Sequence, residues 1–130
     1  AENEYAGHLK RLLQDVRKDL KAPGLPCVVA AMGQNGSTPA KGAMKIIQDA
    51  QLSMNDVPEF KGNARAIRTD DLVDVAAETL FPRWKEQFDE WQKTGGDRPY
   101  HYLGSALWFH RIGQRMGTAM NELLDATPAS

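Results

Sequence analysis

One short apolar segment constrains the fold of this chain more than any other feature of its sequence. Residues 27–32 read Cys-Val-Val-Ala-Ala-Met and do not alternate between polar and apolar side chains. The helix-breaking sequence "KAPGLP" precedes them, and the turn-forming sequence "GQNGSTP" follows. A continuous apolar run between such breakers is typical of a strand that is buried on both faces, as in a parallel sheet. We therefore expect an α/β fold.

Helical periodicity on both sides of this strand supports the same fold class. Ser105 is suited to the N-cap of a last helix, and Pro82 to the first position of the helix before it. Helices that alternate with strands predict a parallel α/β layer fold. Further helices are predicted over residues 3–21, 40–55 and 72–81, and a weaker strand over 62–69.

The number of predicted strands sets the expected domain organisation. Two strands are fewer than the roughly four to six of an ordinary open sheet. We therefore interpret residues 1–130 as the C-terminal half of one α/β domain, present here as a partial domain. We expect the remaining strands to lie upstream of Ala1.

The charge balance gives no reason to expect nucleic acid or a membrane as a partner. The formal net charge is −1, because 16 basic residues are interleaved with 17 acidic ones. No apolar run approaches the roughly 20 residues that span a bilayer. Cys27 is the single cysteine, and no Cys/His cluster has the spacing of zinc ligands, so we expect no metal and no other cofactor.

The candidate chemistry lies where loops meet the sheet edge. In open α/β sheets, ligands bind outside the carboxyl ends of the strands. Here the loops that follow the two predicted strands are residues 33–37 and 69–71. The loop that carries Asp97 and His101 precedes the last helix and can reach the same edge. A histidine can exchange a proton near neutral pH, and a carboxylate can orient it. The four-residue spacing permits this contact without requiring it. The alternative is an exposed histidine beside a carboxylate that caps a turn.

Several stretches, taken in order, resemble the sialate O-acetylesterase-like carbohydrate esterases of the SGNH hydrolase superfamily. The most specific are "LPCVVAAMG" and "YHYLGSA" with the downstream "IGQRMG". The middle stretch "GAMKIIQDAQLSMNDVPEFKGNARAIRTDDLVD" also fits, and the resemblance runs from about Tyr5 to Leu124. It implies a three-layer α/β/α sandwich with a parallel sheet. It also implies that a serine–histidine–carboxylate triad removes acetyl groups from sugars, and it favours an exported enzyme.

The resemblance implies roles for particular residues. His101 matches the family's catalytic histidine, and Asp97 is the candidate acid. Many members of the superfamily place that aspartate three residues before the histidine, so the spacing of four keeps other carboxylates open as the acid. These alternatives are Asp70, Asp71 and Asp74. The residues expected to contact the acetylated carbohydrate are Gln34, Asn35, Tyr100 and Tyr102.

The nucleophile is not expected within these residues. The family's serine lies in a Gly-Gln-Ser-Asn motif, which "GQNGS" resembles only in composition, so Ser37 is a poor candidate. We expect the serine in an N-terminal half of the same domain or in a second chain. The alternative is a noncatalytic α/β binding or interaction domain that lacks the nucleophile.

One aromatic group has two possible uses. Trp84, Phe88 and Trp91 have helical spacing and could form a platform for sugar rings. A stripe with this spacing is more often part of a core, so we predict core packing.

Overall fold

The computed structural model describes residues 2–126, which form five helices and two strands joined by short 3₁₀ turns. The elements are α1 (Tyr5–Asp19), β1 (Cys27–Ala30), α2 (Gly42–Leu52), β2 (Ala64–Ile67), α3 (Val75–Leu80), α4 (Phe88–Thr94) and α5 (Ala106–Ala126). No helix in this part of the chain is both long and apolar enough to span a membrane.

The two strands form a parallel pair. Cys27 lies opposite Ala64 and Ala30 opposite Ile67. The ladder is extended at both ends, where the Cys27 N–H donates to the Asn63 carbonyl at 3.0 Å and the Ala31 N–H to the Ile67 carbonyl at 2.9 Å. The predicted α/β class and both predicted strands are therefore confirmed, although each strand is shorter than its sequence pattern.

Helices pack on both faces of this small sheet. Ala64 and Ala66 point to one face, where they join Phe60 and Met54 in a core that Leu9 and Leu13 of α1 cover. Side chains alternate along a strand, so Arg65 points to the opposite face. On that face, Arg65 forms a salt bridge with Glu122 of α5. Helix α5 packs against both strands.

A buried arginine ties α1 to the start of the sheet. Helical periodicity assigns Arg17 to the polar face of α1, yet the residue is buried. Its guanidinium donates to the Leu25 carbonyl at 2.8 Å and to the backbone and side-chain oxygens of Asn63 at 2.9 and 2.8 Å. It also lies 5.2 Å from the centre of the Phe60 ring. These contacts replace the water that a buried charge loses.

Three expectations from the sequence need correction. All four residues of β1 are half-buried instead of buried on both faces, because β2 is their only strand neighbour among residues 2–126. The helix predicted from Pro82 breaks into a 3₁₀ turn at Phe81–Arg83 and the separate α4. Trp91 is fully buried, as core packing predicts, but Trp84 is half-buried and Phe88 is exposed.

Candidate active site at the carboxyl edge of the sheet

The loops that leave β1 and β2 are fastened to each other at the carboxyl ends of the strands. The Thr69 hydroxyl after β2 donates to the Ala31 carbonyl after β1 at 2.7 Å. Two residues after Ala31, Gly33 packs directly against the backbone that follows β2. A Cβ on Gly33 would lie 2.3 Å from the Asp70 nitrogen and from the Thr69 hydroxyl oxygen. Only glycine fits this approach without displacing backbone.

The loop that precedes α5 reaches the same edge through Tyr102. Its hydroxyl accepts a hydrogen bond from the Gly33 N–H at 3.1 Å and lies 3.2 Å from the Thr69 hydroxyl. Its ring packs edge-on against Trp108 and Phe109, with centroid separations of 5.0 and 5.4 Å. Tyr102 is thus part of the framework that holds the loop at the edge.

This loop has a constrained backbone. His101, Tyr102, Leu103 and Gly104 all have φ between 46° and 64°, in the left-handed region that non-glycine residues rarely adopt. A Cβ on Gly104 would lie 2.8 Å from the Gly96 nitrogen, so the two ends of the loop nearly touch. Such conformations cost on the order of 1 kcal/mol or more per residue and persist only where surrounding contacts fix them.

The structure does not assemble a contact between the two predicted catalytic residues. Asp97 and His101 are both exposed, and no hydrogen bond or ion pair joins them. Across residues 2–126, neither side chain has a hydrogen-bond partner. Tyr100, predicted as a substrate contact, is also exposed.

The three alternative carboxylates are committed to other partners. Asp70 is buried and accepts from Arg68 Nε at 3.1 Å and Nη2 at 2.6 Å, while Asp71 accepts from Arg115 at 2.6 Å. Asp74 caps α3, since its Oδ1 accepts from the N–H groups of Ala76 and Ala77 at 3.1 and 3.2 Å. Within the described chain, none of these carboxylates is hydrogen-bonded to His101.

The ionisation of Asp70 follows from its surroundings. Burial alone would raise the pKa of this carboxyl. The hydrogen bonds from Arg68 and Asn35 and the positive charge of Arg68 outweigh burial and lower the pKa below its ordinary value. Asp70 is therefore a carboxylate that stays ionised and paired.

Ser105 performs the capping role that its position predicts. Its hydroxyl oxygen accepts from the Trp108 N–H at 3.2 Å, at the start of α5. Its hydroxyl also donates to Asp74 Oδ2 at 2.5 Å, so one buried contact joins the N-terminal ends of α3 and α5. Trp108 adds a further link, because its indole N–H donates to the Thr69 carbonyl at 2.8 Å.

A cavity of about 380 Å³ lies beside this framework. Two predicted substrate contacts, Gln34 and Asn35, line it, whereas Tyr100 and Tyr102 do not. The remaining lining residues are the polar Ser37, Thr38 and Glu78 and the predominantly apolar Phe81, Pro82, Leu103 and Trp108.

Glu78 is a site residue that sequence reasoning missed. Its carboxylate accepts from the Ser37 N–H at 2.9 Å and from the Ser37 hydroxyl at 2.6 Å. Gly36, with φ of 55°, gives the carboxylate room, since a Cβ there would lie 2.3 Å from Oε1. The only signal in the sequence is the position of Glu78 one helical turn after the capping residue Asp74, which brings the carboxylate near loops at the same edge.

Other cavities lie beside this one and elsewhere on the surface. One of about 350 Å³ shares Ser37 and Thr38 with the first and is also lined by Arg68 and Asp70. A larger one, of about 460 Å³, lies against α1 beside Glu59 and contains no predicted site residue. In residues 2–126, no cluster of three His, Cys, Asp or Glu side chains has a geometry that could hold a metal ion.

Comparison with known proteins identifies the family. Residues 1–80 match the family model described as carbohydrate esterase, sialic acid-specific acetylesterase. The comparisons with curated proteins and with solved structures gave no match. The matched residues contain both strands and Gln34, Asn35 and Glu78, but they end before the loop that carries His101. The matched part is more than half of the chain, and the chain therefore belongs to this family of carbohydrate esterases.

Proposed function

We propose that the chain forms part of a serine-type carbohydrate acetylesterase in which His101 is the general base. The observation that carries this proposal is the hydrogen bond from the Gly33 N–H to the Tyr102 hydroxyl. Through Tyr102, the backbone next to His101 is held at the carboxyl edge of the sheet, where ligands of α/β folds bind. The cavity lined by Gln34 and Asn35 lies at the same edge and is the proposed site of the acetylated sugar.

The proposed reaction has two steps. A serine hydroxyl attacks the acetyl carbon while His101 accepts its proton, and the sugar oxygen leaves with that proton. Water then hydrolyses the acetyl-serine, again with His101 as base. Asp97 is the proposed carboxylate that orients His101, which requires both exposed side chains to turn toward each other in the assembled site. Tyr100 is a proposed substrate contact at the rim.

The proposed serine comes from sequence outside these 130 residues. The three described serine hydroxyls all donate to oxygen atoms: Ser37 to Glu78, Ser53 to the Ala50 carbonyl and Ser105 to Asp74. None of the three is hydrogen-bonded to a histidine, as an activated serine must be.

The two edges of the sheet indicate where additional strands would pair. The outer edge of β2 is occupied at Ala66, because Asn55 accepts from the Ala66 N–H at 2.8 Å and donates to the Ala66 carbonyl at 3.0 Å. Along β1, Cys27 and Ala31 donate to β2, so the backbone groups of Val28 and Ala30 point to the opposite edge. Beyond them, Gln51 accepts a hydrogen bond from the Met32 N–H at 2.7 Å, and Gln48 donates one to the Met32 carbonyl at 2.7 Å.

We infer that further parallel strands add at Val28 and Ala30 and complete a three-layer α/β/α sandwich of the SGNH type. The segment that supplies these strands, whether covalently joined or from a second chain, is the proposed source of the serine. On this proposal, residues 1–130 are the C-terminal half of a single domain.

A noncatalytic binding domain is the second candidate. The separation of Asp97 from His101 favours it, since a domain that has lost its chemistry does not need this contact. It predicts that a longer protein that contains this chain binds acetylated sugars without hydrolysing them.

The deciding experiment measures hydrolysis of p-nitrophenyl acetate by the longer protein that contains both this chain and a Gly-Gln-Ser-Asn segment. The His101→Ala variant should lose at least about 1,000-fold in kcat/KM. His110→Ala is the matched control, because His110 is exposed on α5 and should leave the rate unchanged. Full activity in His101→Ala contradicts the assignment, and absence of hydrolysis in the unmutated protein supports the binding domain.

A further inference from the structure

The cavity of about 460 Å³ against α1 lies at the other end of the sheet from the candidate active site. Its lining includes Arg17, which donates to the carbonyls of Leu25 and Asn63, just before β1 and β2 begin. It lies on the side of α1 that faces Glu59, which also precedes β2. The additional strands that we propose would pair with β1 on its other side, away from β2, so they leave this cavity open.

Arg17 brings an incompletely paired cation to this cavity. Only 6% of the residue is exposed, and within residues 2–126 it forms no salt bridge. Its Nε and Nη2 donate to Leu25 and Asn63, but Nη1 has no hydrogen-bond partner there. In the described chain, Trp91 Nε1 is the one fully buried side-chain nitrogen or oxygen without a partner, so Nη1 is accessible. An anion that accepts from Nη1 would offset part of the cost of burying this charge.

Lys21 contributes to the same lining from a strained backbone position. It follows the end of α1 with φ of 52°, in the left-handed region that favours glycine. The N–H groups of Lys21 and Ala22 donate to the carbonyls of Lys18 and Arg17 at 3.0 and 2.9 Å, as in a Schellman helix ending. These bonds also take up helix carbonyls, whose negative dipole ends oppose an anion at a C-terminus. Because the backbone bonds do not need a lysine side chain, the side chain is available to the cavity.

The charges of the lining are predominantly positive. Arg17, Lys18 and Lys21 contribute three positive charges, and Glu59 contributes one carboxylate. This carboxylate already pairs with Lys10 at 3.1 Å. Within residues 2–126, neither Lys18 nor Lys21 forms an ion pair. The cavity therefore presents one guanidinium nitrogen and two ammonium groups to a single small anion.

We propose that this cavity binds a tetrahedral oxyanion of the phosphate or sulfate class, with Arg17 Nη1 and the ammonium groups of Lys18 and Lys21 as donors. Several acceptor oxygens on one centre suit donors that come from separate side chains. The same oxygens are presented by a free ion and by an ester group on a larger molecule. The site goes beyond the proposed esterase function and does not depend on it.

The test titrates the longer protein of the esterase assay with sodium phosphate, sodium sulfate and glucose 6-phosphate. Sodium chloride holds the ionic strength at about 0.15 M. Binding is followed by NMR through the Arg17 Nε–H, with the Trp108 indole N–H at the other end of the sheet as reference. We expect a saturable shift of the Arg17 signal alone. Tighter binding of glucose 6-phosphate than of phosphate supports an ester group as the ligand, and the reverse supports a free ion.

Two variants assign the binding to the lining, and a third is the control. Lys21→Gly removes the ammonium and relieves the left-handed strain, so it should weaken binding at least about fivefold without lowering the thermal midpoint of the anion-free protein. Lys18→Gln should weaken binding by a similar factor. Lys93→Gln removes an exposed charge from α4, outside the lining, and should leave the affinity unchanged.

Three results would overturn the proposal. The first is the absence of a saturable Arg17 shift with all three oxyanions. The second is an affinity that neither Lys18→Gln nor Lys21→Gly changes. The third is an equal loss in Lys93→Gln and Lys21→Gly, which would show attraction to the overall charge instead of a site. The titration involves no hydrolysis, so its outcome is independent of the His101→Ala test of the esterase.

Discussion

The two halves of the loop between α4 and α5 differ in how they are held. Tyr102 and Ser105 are bonded to the sheet edge and to the cap of α3, and Ser105 is fully buried. Asp97 and His101 lie only a few residues earlier, are exposed, and have no side-chain hydrogen bond within residues 2–126. The fold therefore fixes the backbone beside His101 while it leaves the histidine side chain available. This combination suits the proposed role of His101 as a base whose site is completed by another segment.

The largest expected effect on stability comes from the hydrogen-bonded half of the loop, which Ser105 joins to Asp74. Asp74→Ala removes the acceptor for two N–H groups of α3 and for the Ser105 hydroxyl, and it leaves these donors buried. We expect a loss of about 3 kcal/mol in the free energy of unfolding, measured in urea. The control Asp89→Ala changes an exposed residue in the first turn of α4 and should cost about 0.5 kcal/mol. Equal losses in the two variants would contradict the role of this double cap.

A smaller effect is expected from the tether of the loop. Tyr102→Phe keeps the ring between Trp108 and Phe109 but leaves the Gly33 N–H without its acceptor. We expect a loss of about 1 kcal/mol in stability and faster hydrogen exchange at the Gly33 amide. Tyr100→Phe is the matched control, because Tyr100 is exposed, and it should leave both quantities unchanged. The same exchange rate at Gly33 in both variants would show that the tether is unnecessary.

The pH dependence of stability tests whether the ion-paired carboxylate of Asp70 stabilises the fold. The pKa of Asp70 is lowered in the folded chain, so the unfolded chain binds more protons as the pH falls. Its contribution is present above the pKa of the unfolded state, about 3.9, and disappears as the pH decreases through the folded value. Asp70→Asn should therefore flatten the decrease in unfolding free energy between pH 6 and pH 3. An unchanged slope would contradict this linkage.

The smallest effect on stability is expected from the exposed half of the loop, which carries Asp97 and His101. Asp97→Asn and His101→Gln change exposed side chains without described partners, so each should alter the free energy of unfolding by less than about 0.5 kcal/mol. The same substitutions in the longer protein should strongly reduce ester hydrolysis. A large loss of stability in this chain would show that these side chains already serve the fold.

The sequence predicts those parts of the molecule that depend on local patterns. The apolar run of β1, the helical stripe of α1 and the cap at Ser105 all follow from neighbouring residues. The bonds of Glu78 to Ser37 and of Asn55 to Ala66 depend on how distant segments pack, which periodicity does not contain. The break before α4 was missed because Pro82 suits a helix start and a short 3₁₀ turn equally well.

Covalent labelling with a fluorophosphonate tests the central claim most directly, because this reagent reacts with serines that a neighbouring base activates. In the longer protein, we predict that one serine outside residues 1–130 is labelled, and that His101→Ala slows this labelling at least about 100-fold while His110→Ala does not. Labelling of Ser37, or labelling that is independent of His101, would contradict the account.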